Sequence, residues 1–128
     1  MIAAPDPALR AMARLLIVRR SMSSAALTQQ CAVIRAIVSE VAWHEGVRRT
    51  DILGRRRDGR FVRARAAVVW VARKLGVGST TKIGVALGRD HSTVLTALSK
   101  AEILRQRDEA FKRLTDRIRD HFRDLQED

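Results

Sequence analysis

Ser79-Thr-Thr-Lys-Ile-Gly-Val-Ala-Leu-Gly88, followed by Arg89-Asp-His-Ser-Thr-Val-Leu-Thr-Ala-Leu98, carries two short helical patterns with a glycine between them. Ser79 is a residue type that caps a helix start, Ile83, Ala86 and Leu87 form its apolar stripe, and Gly88 stands where such a helix stops. Asp90 caps a second pattern that carries Val94, Leu98 and Ala101. A short helix, a tight glycine turn and a second helix make a helix-turn-helix. The expected fold class is therefore all-α, a helical bundle organised around that motif.

Upstream, Ala64, Ala67, Val68, Val71, Ala72 and Leu75 repeat at intervals of three and four between Val62 and Leu75, closed by Gly76. That spacing predicts the central helix. Before it lies Arg55-Arg-Arg-Asp-Gly-Arg60, which has no apolar period and predicts an exposed loop, with at most one helical turn at Asp51, Ile52 and Leu53 before Gly54. Leu27, Ile34, Val38 and Val41 share a stripe over Ala26 to Glu45, stopped by Gly46, and predict a long helix. Between Pro7 and Arg20, Leu9, Met12, Leu16 and Ile17 suggest a short amphipathic helix, followed by a polar break at Ser21 to Ser24 in which Met22 offers an alternative start.

Downstream, Phe111, Leu114, Ile118, Phe122 and Leu125 recur among charges and predict a last amphipathic helix. Core packing is the favoured role over a dimer seam, because the heptad pattern is too short for an isolated coiled coil. The expected division is an appendage at 1–25, a helix-turn-helix domain at 26–106 and a C-terminal helix at 107–128.

The chain has 128 residues, with 25 Lys and Arg against 14 Asp and Glu, a formal charge of +11 that attracts polyanions. Nucleic acid is the first partner this suggests. With 46% apolar residues the chain can fold, and with 4% aromatics and no Tyr its core falls to Val, Leu, Ile and Ala. A single cysteine, Cys31, excludes an internal disulfide and reads as a buried small hydrophobe in a reducing, cytoplasmic setting. Arg10, Arg14, Arg19 and Arg20 interrupt any signal-peptide core, and no stretch reaches the length of a membrane span.

Catalytic and cofactor readings fail on residue identity. In Gly76 to Lys82, Thr81 stands where a phosphate loop needs glycine, and Ile83 where it needs Ser or Thr. The dinucleotide fingerprint fails at Thr81 too, and no strand precedes it. His44, His91, His121 and Cys31 have no metal-ligand spacing. Asp116, Asp120 and Asp124 beside Arg113, Arg117 and Arg123 read as a solvated helix face. No enzyme activity, cofactor, metal or small-molecule substrate is expected.

The arginines Arg55, Arg56, Arg57 and Arg60 suit the negative potential of a minor groove, and Arg63 and Arg65 at the next helix start suit phosphates. Arg89, Asp90, His91, Ser92 and Thr93, with Thr96 further along, open a helix with side chains of the type that reach base edges.

Taken together, Asp51-Ile-Leu-Gly-Arg-Arg-Arg, Val62-Arg-Ala-Arg, Lys82-Ile-Gly and Gly88-Arg-Asp-His-Ser-Thr-Val-Leu resemble the C-terminal DNA-binding domain of the bacterial replication initiator DnaA, over roughly Ala32 to Ala101. The resemblance implies a Trp-repressor-like fold whose basic loop enters the minor groove and whose Arg-Asp-His-Ser-Thr segment opens the recognition helix. By position it implies Arg57 as the minor-groove arginine, and Asp90, His91 and Ser92 as base readers, with Thr81 touching a base from the preceding helix. Arg65, Arg73, Arg89 and Thr93 would hold phosphates. The chain departs from the family pattern in having one glycine, Gly88, before Arg89, Thr80-Thr81-Lys82 in place of Leu-Pro-Glu, and Ala64 in place of proline. The family's ATPase and helicase-loading domains are not expected within 128 residues, so origin melting driven by nucleotide is not expected either.

The expected function is a sequence-specific double-stranded-DNA-binding protein in the nucleoid, a transcription regulator of a phage-like or gene-transfer element. The alternatives are a replication modulator competing for DnaA-type sites and a non-specific nucleoid protein. The first segment and last helix are the expected places for a protein partner from the transcription or replication machinery.

Overall fold

The computed structural model describes residues 6–18 and 26–126. Among them are seven helices and no strand: α1 (Pro7–Val18), α2 (Ala26–Glu45), α3 (Arg49–Leu53), α4 (Gly59–Leu75), α5 (Thr80–Leu87), α6 (His91–Arg107) and α7 (Glu109–Gln126). The polar break at Ser21 to Ser24 and the side chains of Met12, Leu16, Ile17 and Leu27 lie outside the described residues.

The fold is built around α4. Residues Ala66 to Ala72 are buried without interruption, so this helix is apolar on all sides over two turns. A helix of that kind must be surrounded, and α2, α3, α5, α6 and α7 all pack on it. Its C-terminus is closed by Gly76 at φ 68°, whose amide reaches the Ala72 and Arg73 carbonyls.

Its start differs from the sequence expectation. The arginine run is a loop only as far as Asp58, whose carboxylate accepts the Arg60 amide at 3.3 Å and caps α4 from Gly59 onward. Phe61 then turns inward to the core, with the guanidinium groups of Arg56 and Arg60 at 5.4 and 5.0 Å from its ring.

Helix α7 contributes Phe111, Ile118 and Phe122 to the same core and packs on α4, α6 and α1. Helix α1 lies on α2 and α7, with Ala13 buried and Arg10 paired to the buried carboxylate of Glu40. Cys31 is half-buried rather than enclosed.

The helix-turn-helix depends on one close approach. A Cβ on Gly84 of α5 would lie 2.6 Å from the Arg89 carbonyl oxygen and 3.4 Å from Val94 Cγ2. Backbone cannot step aside as a flexible side chain can, so Gly84→Ala is expected to push α5 away from the start of α6. The predicted cost is about 1 to 3 kcal/mol of folding stability, as for other overpacked sites. Urea unfolding measures it, and an unchanged midpoint would contradict this packing.

Candidate nucleic-acid interface

Both ends of the turn between α5 and α6 are set by local chemistry. Ser79 Oγ accepts the Lys82 amide at 3.2 Å, and Gly88 at φ 66° closes α5. Asp90 Oδ1 accepts the Thr93 amide at 2.8 Å and starts α6. The backbone amide of Thr93, then its side chain, holds the Asp90 carboxyl below its usual pKa, so the cap stays ionised near neutral pH.

The first turn of α6 faces the basic loop across an open concavity of about 840 Å³. Arg55, Arg57 and Arg65 line it from the loop and α4, while Arg89, Asp90, Ser92, Thr93 and Thr96 line it from the turn and α6. Val62, Gly88, Ala97 and Lys100 complete it. Five cationic side chains thus converge on one groove against one carboxylate, a charge distribution that suits a polyanion.

Two of those cations also organise the groove. Arg65 Nε donates to the Ile52 carbonyl at 2.7 Å, and its Nη2 donates to the Asp51 and Gly54 carbonyls, both at 2.8 Å. Arg89 Nη1 donates to the Leu53 and Leu87 carbonyls at 3.3 and 3.4 Å, and its Nη2 to the Gly54 carbonyl. Gly54 therefore accepts from both arginines with its two lone pairs, which ties the base of the loop to α4 and to the turn before α6. Burial, with the nearby Arg89 charge adding to it, lowers the Arg65 pKa. A guanidinium has five N–H groups, so both N–H groups of Arg65 Nη1 are left for the groove.

The other sequence-derived candidates fall elsewhere. Arg56 and Arg60 lie over Phe61. Arg73 is exposed on α4 and does not line the groove. Arg63 donates to Glu45 at 2.7 Å and to Asp108, and lies 5.1 Å from the Phe111 ring centre. Burial works against its charge, but the bonds to Asp108 and Glu45 outweigh that and raise its pKa. It joins α2, α4 and the junction of α6 with α7 from inside the fold. His91 and Thr81 do not line the groove either; they meet each other, with Thr81 Oγ1 3.3 Å from His91 Nδ1.

Lys100 is a groove residue that sequence reading missed. Ser92, Thr96 and Lys100 follow one another at intervals of four along α6, and this helical spacing places them on one face. Among the described residues, no group of three or more His, Cys, Asp or Glu is placed to hold a metal, and no helix is long and apolar enough to cross a membrane.

A short helix, a glycine turn and a second helix opening onto a cationic groove define a helix-turn-helix module. The profile of the family described as bacterial dnaA protein helix-turn-helix matches residues 34–101, more than half of the chain, and the chain belongs to that family.

Relatives over this region are chromosomal replication initiator proteins DnaA. That of Caulobacter vibrioides is 40% identical over 75 residues, covering 58% of this chain and 15% of its own length. DnaA 2 of Chlamydia pneumoniae is 34% identical over 95 residues, covering 74% and 21%. That of Rhodopseudomonas palustris is 39% identical over 95 residues, covering 73% and 19%. The chain thus spans about a fifth or less of the relatives it matches. No solved structure matches it.

Proposed function

We propose that this chain binds double-stranded DNA sequence-specifically and regulates transcription. The observation that carries this reading is the single groove onto which the basic loop and the first turn of α6 both open. On this reading a duplex lies with its major groove over α6 and its minor groove under the loop. Arg57 reaches into the minor groove, where a narrow A·T tract deepens the negative potential. Asp90, His91 and Ser92 meet base edges, and Arg55, Arg65, Arg89, Thr93 and Lys100 hold phosphates.

The exposed face of α7, with Arg113, Arg117, Arg123 and Asp124, is the surface offered to a protein partner. On this reading the protein works in the bacterial nucleoid and adds no chemistry of its own. Regulation of a phage-like or gene-transfer element is the setting proposed for it.

A second reading is favoured by the 40% identity to a replication initiator: competition with that class of protein for shared sites. Chromatin immunoprecipitation with sequencing separates the readings. Peaks at promoters support transcription regulation, and peaks clustered at the origin support competition. Even coverage of the chromosome contradicts both and points to a nucleoid-packing role.

A further inference from the structure

We infer that Thr80 and Thr81 are positioning residues for His91, holding its neutral ring with the proton on Nε2, so that it offers a donor to a base edge carrying an acceptor. The inference deepens the DNA-binding reading and rests on it. Thr80 Oγ1 lies 3.1 Å from His91 Nδ1, and Thr81 Oγ1 lies 3.3 Å from the same atom. The two hydroxyls come from the first turn of α5 and the imidazole from the first residue of α6, so the contact spans the turn of the motif.

Among the described residues neither hydroxyl has another hydrogen-bond partner, so each has a proton to give. An unprotonated Nδ1 has one lone pair and accepts from one hydroxyl at a time, Thr80 being the nearer. A proton on Nδ1 would instead face two oxygens whose own protons must turn away to solvent. With Nδ1 held in this way, the remaining proton of the neutral ring sits on Nε2, which has no partner among the described residues.

An N–H donor in the major groove pairs with guanine N7 or O6, adenine N7 or thymine O4, and is mismatched to the amino group of cytosine. The base edge read by His91 is therefore that of guanine, adenine or thymine and not that of cytosine. Without the two threonines the ring can turn and exchange tautomers, and the preference weakens while phosphate binding persists.

Two measurements test this on the full chain. In the free protein at a pH of about 8, where imidazole is neutral, ¹⁵N NMR of His91 is expected to show a pyridine-like Nδ1 and a pyrrole-like Nε2. The reverse pattern overturns the inference whether or not DNA is bound. Affinities are then measured on a preferred duplex and on duplexes changed one base pair at a time. The pair whose preference is lost in His91→Ala is expected to lose about threefold to tenfold of its discrimination in Thr80→Val/Thr81→Val, the scale of one hydrogen bond. Thr80→Ser/Thr81→Ser is expected to keep it. Discrimination unchanged in the valine variant overturns the positioning role while leaving the DNA reading in place. A wild-type chain that binds no duplex contradicts the DNA reading, and the NMR pattern then decides the inference alone.

Discussion

Raising the salt concentration from about 50 to about 200 mM is expected to weaken binding to duplex DNA by about a hundredfold or more. Each phosphate neutralised by Lys or Arg releases condensed counterions and steepens the dependence of log affinity on log salt by about 0.9. Arg55, Arg65, Arg89 and Lys100 face the groove with N–H groups to give. Four such contacts correspond to a slope of about −3.6 and a loss of about 150-fold over this range. Asp90, ionised where it caps α6, is the one carboxylate lining the groove, so a single negative charge stands against its five cations. Fluorescence anisotropy across the range gives the slope directly. A slope near zero would mean that the cationic groove does not face DNA, whatever else the chain binds.

Trp70→Ala is expected to cost about 3 to 5 kcal/mol of folding stability, on the scale of removing a large aromatic from a core. Trp70 is 2% exposed in α4, where α6 and α7 meet it. Its indole N–H donates to Glu102 at 3.1 Å, and Arg105 lies over its ring at 3.9 Å. Arg105 in turn donates to Thr115 at 2.7 Å and Asp116 at 2.8 Å, while Arg119 lies 5.5 Å from the ring. Removing the indole therefore leaves a cavity, strips one face from two arginines and loosens the C-terminal half of α6 from α7. Chemical denaturation should show the loss, and DNA affinity below the melting transition should fall far less than stability, because Trp70 does not line the groove. A loss below about 1 kcal/mol would contradict the central position of α4.

Much of this architecture can be read in the sequence because its punctuation is local. Ser79, Gly88 and Asp90 act within three or four residues of themselves, and the helices they bound are those expected, α5 from Thr80 and α6 from His91. The start of α4 was less legible. An aspartate inside a run of arginines reads as part of a solvated loop, and its capping role appears only once Phe61 is seen to turn inward behind it.

The division of labour among the arginines was not legible at all. Arg63 and Arg65 are two residues apart in the same helix with the same charge, yet Arg63 meets Glu45, Asp108 and Phe111, while Arg65 meets three carbonyls at the end of α3. Helical geometry turns neighbours two apart onto different faces, and the partners on those faces lie 11 to 45 residues away along the chain. Short-range pattern carries no information about such partners. Lys100 was missed for the opposite reason, since its spacing of four from Thr96 was visible but lay beyond the first turn.

The most direct test of the groove as the DNA interface compares Arg57→Ala with Arg123→Ala on one preferred duplex by fluorescence anisotropy at fixed salt. Both changes remove one exposed arginine, so they alter net charge equally, but Arg57 lines the groove and Arg123 lies on α7. Arg57→Ala is expected to weaken binding about tenfold or more, on the scale of a specific base-groove contact, and Arg123→Ala about twofold or less. Changing A·T to G·C pairs opposite the loop should reproduce the Arg57→Ala loss in the wild-type protein, because it widens the groove that attracts arginine. Equal losses in the two variants would show a diffuse electrostatic attraction, and a harmless Arg57→Ala would contradict the interface proposed here.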